Sequence, residues 1–407
     1  MSPAKASTAP SPSTTLPQPN LRRATKLVMQ LMALPGRSGQ ESQVARYIRD
    51  ALRIAGAPTR AIRGDTTHKN SACPGECGNL ILSLPGTIPG GRRLLTAHMD
   101  TVPLCVGSRP KQHNGLVRSN DPRTALGADD RAGCAVLLSA ASEILECGLP
   151  HPPLTFCWFV QEEIGLFGAR YVDKKLLGRP QMTINFDGGS PAKVTVGATG
   201  GYRIRIEVDG IASHAGGAPE WGVSAIAIAS LAIADLHRGG WHGDIKKGKH
   251  RGTSNVGIIC GGDATNVVTD RVVVRAEARS HDPTFRRRIV REIETAFEKA
   301  ARAVKNVAGA TGAVRFDGRL DYESFRLGDD EPCVLAAEMA VRRVGREPLR
   351  AVSNGGLDAN WLTARGIPTV SLGCGQLGQH TLDEALDVAD YHDACRIALC
   401  LATASEA

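Results

Sequence analysis

Aromatic residues are scarce: 8 Phe, 5 Tyr and 4 Trp make up 4% of the 407 residues. A single-stranded nucleic-acid platform stacks bases on aromatic faces, so such a platform is not expected here. Long apolar runs are missing as well. A membrane span needs roughly 18 or more consecutive apolar residues, and the greasiest stretch, Val223 to Leu236, is interrupted by Ser224, Ser230 and Asp235. No membrane partner is expected. Residues 1–20 are rich in Ser, Pro, Thr and Ala and lack the apolar h-region of a secretory signal, so they read as a disordered tail. The 11 cysteines are odd in number and scattered. Cys134, Cys157 and Cys400 sit in apolar runs, as small buried hydrophobes do. Reduced thiols and a cytoplasmic location are therefore expected. Cys73 and Cys77 form one C-x3-C pair near His68, but no second pair completes a zinc knuckle.

What is present is a long chain with a modest basic excess. Its length suggests two to three domains. The formal charge is +8, with one basic cluster at Lys246, Lys247, Lys249, His250 and Arg251 and another at Arg286 to Arg288. The first reads as a loop and the second as part of an amphipathic helix. Both read as solvated faces, and no nucleic-acid partner is expected.

Helical spacing runs from Arg22 to Ala57, and Ser38-Gly39-Gln40-Glu41 has the cap composition that opens its second half. Apolar runs at Asn79–Leu84, Arg93–Met99, Leu154–Val160 and Met182–Phe186 each end in polar or Gly-rich residues, and a helical stretch lies at Gly133–Cys147. Strands that are apolar throughout and alternate with helices predict an α/β domain with a mainly parallel sheet covered on both faces. From Gly200 the texture changes. Tyr202, Ile204, Ile206 and Val208 alternate with Arg203, Arg205 and Glu207, the pattern of a half-buried antiparallel strand. A helix over Glu220–His237, strands near Ser254–Cys260 and Val268–Ser280, a helix over Pro283–Lys305 and a strand at Ala313–Phe316 complete a β-α-β-β-α-β order, the ferredoxin-like arrangement. The expected organisation is a tail (1–20), a catalytic domain in two parts (21–199 and 318–407) and an inserted ferredoxin-like domain (200–317). The second part has a helix at Pro332–Val344 and a strand at Pro368–Leu372.

Ligand-binding residues gather at strand ends in α/β sheets, and here those ends are rich in metal-ligand types. In Thr96-Ala97-His98-Met99-Asp100, His98 and Asp100 point to one side of an extended chain. A ligating His needs its other ring nitrogen held, and a nearby carboxylate is a common partner. Alone, H-x-D is frequent by chance. In Gly127-Ala128-Asp129-Asp130-Arg131, paired acids need a cation or donors to offset their repulsion, and one carboxylate can bridge two metals. The bland alternative is an acidic helix cap. Gln161-Glu162-Glu163 follows an apolar strand, where one acid can ligate while its neighbour serves as general base. Asp187 ends the run Met182–Phe186, and His380 follows the Gly-rich loop Gly373–Gly378. Two His and three carboxylates suit two zinc ions sharing one acid and a water. Such a pair lowers the water's pKa and polarises a carbonyl; the nominated reaction is amide hydrolysis.

HMDTVP, GADDRAG, QEEIG, FDGG and ASHAGGAPEWG together resemble the dinuclear zinc peptidase family that includes peptidase T, carboxypeptidase G and succinyl-diaminopimelate desuccinylase. The stretch from Asn114 to Asp130 is most similar to the peptidase T branch, the tripeptide aminopeptidases. The resemblance implies one zinc on His98 and Asp187, a second on Glu163 and His380, and Asp129 bridging, with Co2+ or Mn2+ as substitutes. It implies Asp100 orienting His98, Glu162 as general base, and His214 reaching the active site of a partner in a homodimer joined through the inserted domain, a lid as well as a dimerisation unit. It also implies that Asn266, Arg279 and the segment Asn354-Gly355-Gly356 meet the short peptide substrate. Arg131 stands where that family usually has Lys, His380 is flanked by Gln379 and Thr381 rather than Lys and Glu, and Thr66–Gly78 has no counterpart. An N-acyl amino acid amidohydrolase or a carboxypeptidase would use the same centre. A non-catalytic metal-binding scaffold would be expected to have lost the base or a ligand, and none is lost.

Overall fold

The computed structural model describes residues 17–403. Most of the expected tail lies outside the described residues. Within them, Asn20 caps the first helix, Leu21–Ala33, its side chain accepting from Arg23 N at 3.0 Å. The Arg22–Ala57 periodicity resolves into that helix and a second, Ser42–Ile54.

One mixed sheet organises the larger part of the chain. Across it run Ile62–Gly64, Leu80–Leu84, Leu154–Phe159, Arg93–His98, Met182–Phe186, Thr369–Leu372 and Lys193–Ala198, with Phe325–Arg326 and Leu349–Ser353 both paired to the last. The four central strands, Leu154–Phe159, Arg93–His98, Met182–Phe186 and Thr369–Leu372, run parallel. The antiparallel pairings are at the margins. The reason the central strands show no apolar–polar alternation is visible in their packing. Leu95, Ala97, Phe156 and Trp158 face the core shared with helices Leu21–Ala33, Ala128–Cys147 and Val388–Thr403. Leu94, Cys157 and Phe159 face Ala169, Leu177 and Leu362 on the other side. With both faces covered, water is excluded from each and alternation disappears. All four parallel strands then deliver their C-terminal ends to one edge.

Residues 200–322 form a second, five-stranded antiparallel sheet in the order Gly243–Lys247, His250–Gly261, Arg271–Ser280, Gly200–Asp209, Ala313–Tyr322. Helices Ala225–Arg238 and Pro283–Ala303 cover one face around Ile206, Val208, Ile228, Val274, Ile289 and Phe297. Ignoring the edge strand Gly243–Lys247, the strand order is that of the ferredoxin-like arrangement. The differences from expectation are local. Lys246 to Arg251 are a β-hairpin, not a loop: Lys246 pairs with Arg251 and Lys247 with His250 around Gly248. Arg286 does not belong to a solvated face; it is buried against Glu323. The first helix of this unit begins at Ala225, not Glu220, because Pro219–Trp221 makes a 3-10 turn and Ser224 supplies the helix cap. The last strand runs to Tyr322, past the expected boundary at 317. Helix Val388–Thr403 and a small sheet of Pro110–His113, Leu116–Ser119, Ala385–Asp387 and Gln376–Leu377 were not anticipated. All 11 cysteines are free.

Candidate metal centre

His98 ends its strand with its backbone N–H donating to Asp130 Oδ2 at 3.1 Å. Its ring Nδ1 lies 3.1 Å from the Asp100 carbonyl oxygen and 3.4 Å from Asp100 Oδ1. Both are acceptors, so Nδ1 carries the proton and Nε2 is turned toward Asp129. Asp100 is itself fully buried. It accepts from Ser38 Oγ at 2.6 Å, from Glu162 N at 2.9 Å and from Glu163 N at 3.1 Å. One carboxylate thereby fixes the His98 ring and the turn that carries both glutamates.

Asp129 precedes the regular part of helix Ala128–Cys147; it and Asp130 have non-helical backbone angles, and the peptide between them is cis. Gly133, one turn later, has no room for a side chain: a Cβ there would sit 2.2 Å from the Phe186 carbonyl oxygen. The helix can therefore press against the strand end that carries Asp187. Asp129 Oδ1 lies 3.3 Å from His98 Nε2, and its Oδ2 lies 3.3 Å from His380 Nε2. His380 Nε2 is also 3.0 Å from Glu163 Oε2. Ligand atoms of His98, Glu162 and Asp187 lie within 4.8 Å of one another, as do those of His98, Asp129 and Glu163. These residues line a cavity of about 300 Å³.

The electrostatics are those of a site short of positive charge. Burial, with the charge of Asp129 behind it, pushes Asp187 up to about 7. Burial also raises Glu162 well above the usual carboxylate range, and Glu163 above its ordinary value. Burial disfavours the charged form of His98, yet the surrounding carboxylates outweigh it and hold the imidazolium well above its ordinary pKa. Hydrogen bonds to Asp129 and Glu163 push His380 up to about 10. Burial tends to raise Asp129, but its contacts with His380 and His98 outweigh that and hold it low. Without metal, protons on the two imidazoles stand in for cations. Asp129 Oδ1 is buried and, although 3.3 Å from His98 Nε2, makes no well-aligned hydrogen bond. The donor set, two imidazoles and three carboxylates around an unsatisfied central oxygen, fits divalent metal ions.

Of the remaining expected residues, only two reach the cavity. Gly355 and Gly356 line the cavity; Asn354 does not, its Oδ1 instead lying 3.1 Å from His281 Nε2. His214, Asn266 and Arg279 are on the second sheet's side, outside the cavity lining. Arg279 pairs with Glu277 at 3.0 Å. The exposed His214 accepts from Gly216 N and Gly217 N at Nδ1, 3.1 and 2.8 Å away, which leaves its proton on Nε2. The Asn266 carbonyl accepts from Ala215 N beside it. Among the described residues, Cys73, Cys77 and His68 form no group able to hold a metal.

Two further acids at the centre, Glu384 and Asp130, were given no separate role by the sequence. Glu384, 1% exposed, accepts from Gly127 N at 2.7 Å and Asp129 N at 3.0 Å. Asp130 accepts from His98 N, from Gly133 N at 3.1 Å and from Gln376 Nε2 at 2.7 Å. For Asp130 the sequence held a signal: in an Asp-Asp pair that needs a cation or donors, this is the acid that receives donors. Glu384 lies in an ordinary-looking segment, and only the fold brings it to Asp129.

Comparison with known proteins identifies the family. Residues 94–404 match peptidase family M20/M25/M40. A Bacillus subtilis protein, YqjE, is 31% identical over 369 residues, spanning 91% of this chain and 94% of its own. The structure is similar to a tripeptidase from Staphylococcus aureus (TM-score 0.85, 29% identity, 95% of this chain and 99% of that one). It is also similar to aminopeptidase PepT from Bacillus cereus (TM-score 0.80, 31% identity, 95% and 98%). By these matches the chain, with its carboxylates and imidazoles gathered at the C-terminal edge of this sheet, belongs to peptidase family M20/M25/M40, and it is a peptide-bond hydrolase.

Proposed function

We propose that the protein is a dizinc aminopeptidase acting on short peptides, tripeptides above all. The observation that carries this reading is Asp129: one carboxylate whose two oxygens each lie 3.3 Å from a different histidine, the disposition a bridging ligand requires. His98 and Asp187 would hold one ion, His380 and Glu163 the other. When bound, the metal pair supplies Lewis acidity, making a water nucleophilic at neutral pH and polarising the scissile carbonyl.

The chain's own groups do the rest. Glu162, nearly buried at the cavity wall, takes the proton of the attacking water on its carboxylate and passes it to the leaving amine nitrogen. Burial raises its proton affinity, and a carboxylate held at the cavity wall is placed both to accept a proton and to return it. Asp100 keeps the proton of His98 on Nδ1, so that Nε2 presents its lone pair to metal. His214, with its proton on Nε2, is a donor for the oxyanion that develops as water adds. Since it lies outside the cavity of its own chain, the reading includes a homodimer in which each His214 serves the partner. Exposed apolar side chains on the same unit, Trp221, Ile226, Leu231 and Val267, support burial of that surface against a second copy. Asn266 and Arg279 would meet the substrate's carboxylate end, and Gly355 and Gly356 would let its backbone approach closely. The zinc-loaded protein should hydrolyse free tripeptides and leave their N-acetylated forms intact. Faster cleavage of the acetylated peptides would assign it to the N-acyl amidohydrolases of the family instead.

A further inference from the structure

A second groove, of about 580 Å³, shares Glu163 with the metal-centre cavity. Val102 and Pro103, just past the His98 strand, and Ile164, just past the glutamates, line it. Arg37, Ser38, Gly39, Gln40 and the segment Cys73–Glu76 complete the lining. That segment is tied down. Gln161 Nε2, next to the glutamate pair, donates to the Cys73 carbonyl at 3.0 Å, and Glu76 N donates to Gly39 O at 3.0 Å. Asp65 accepts from Thr67 N, before the segment, and from Asn79 N, after it, at 3.0 and 2.9 Å.

Among the residues of the centre, Glu163 lines both spaces, whereas Glu162 lines the smaller cavity alone. Resting on the peptidase reading above, we infer that this groove is the subsite for the side chain on the acyl side of the scissile amide, and that it selects a large apolar residue such as leucine. The direction follows from proton delivery. Glu162 must reach the leaving nitrogen, so the amine fragment occupies the cavity that Glu162 faces, and the acyl fragment extends past Glu163 into the groove. The chemistry follows from the walls, where Val102, Pro103, Ile164 and Pro74 offer apolar surface.

The test compares kcat/KM for Leu-Gly-Gly and Ala-Gly-Gly on the zinc-loaded full chain and on two variants that fill the groove, Cys73→Trp and Val102→Trp. Circular dichroism and zinc content check that each variant is folded. Methylene differences in an apolar site discriminate by about 10–200-fold, so the wild type should favour leucine by at least about 10-fold. Each folded variant should bring the ratio within about 3-fold of unity. Cys73 lies on an exposed loop, so Cys73→Trp keeps the test available if Val102→Trp misfolds. A wild-type ratio near one overturns the inference, as does a ratio that folded variants leave unchanged. So does a change confined to the second position, read with Gly-Leu-Gly against Gly-Ala-Gly. If the wild type cleaves none of these peptides, the peptidase reading itself fails and takes this assignment with it.

Discussion

Replacing Glu384 with glutamine should loosen the metal centre although Glu384 touches no expected metal position except through the backbone. Its two carboxylate oxygens accept from Gly127 N and Asp129 N at 2.7 and 3.0 Å in a buried setting. Glutamine keeps the shape but offers one oxygen and one NH2. One of the two backbone donors then faces another donor, and a buried donor left unsatisfied costs about 1–3 kcal/mol. Asp129 is the residue displaced. Changes in groups that hold metal ligands typically cost about 10–100-fold in metal affinity, and about 2 kcal/mol corresponds to roughly 30-fold. The assay is zinc competition against a chromogenic chelator, with thermal melting of the metal-free protein alongside. Glu384→Gln should weaken zinc binding by one to two orders of magnitude and lower Tm by a few degrees. Zinc affinity within twofold of wild type, in a protein that melts normally, would refute the role assigned to Glu384.

Glu162→Gln should retain its metal and lose about 10²–10⁴-fold in kcat; near wild-type turnover would show that the proton is taken elsewhere. Metal analysis after zinc reconstitution should approach two ions per chain, and saturation at one would remove Asp129 as a bridge. In the metal-free protein, burial first of all pushes Asp187 up to about 7 and Glu41 and Asp358 up to about 8. Above pH ~5 the folded chain therefore keeps protons that the unfolded chain has released, and unfolding free energy falls as pH rises. The apoprotein should melt lower at pH 8 than at pH 5.5, a trend that saturating zinc should oppose; an apoprotein Tm that climbs across this window would contradict the buried-carboxylate picture. Mixing inactive His214→Ala and Glu162→Gln chains should restore activity if His214 acts on a partner's site. No recovery, once subunit exchange is demonstrated, would assign it to its own chain.

The sequence by itself determined the α/β class, because strands buried on both faces carry apolar residues on both without alternation, as Phe156-Cys157-Trp158-Phe159 and Leu94-Leu95 do. It determined the change of texture at Gly200, because a sheet with one open face must alternate. It also marked His98, Asp129, Glu162, Glu163, Asp187 and His380 as chemically unusual, because polar residues closing such apolar strands need a reason to be there. What it could not determine was convergence. His98 and His380 are far apart in the chain, and they meet at Asp129 only because the parallel strands Arg93–His98 and Thr369–Leu372 flank Met182–Phe186 and end at one edge. The hairpin at Lys246–Arg251 was hidden for a related reason: its charged side chains suit an exposed edge strand as well as a loop, and backbone pairing decides between them. Buried Arg286 shows the same limit, since its partner Glu323 is supplied by the fold. Glu384 was illegible for the most general reason. A carboxylate that works by accepting two backbone N–H groups leaves no pattern around itself, and only tertiary structure brings Gly127 and Asp129 within its reach.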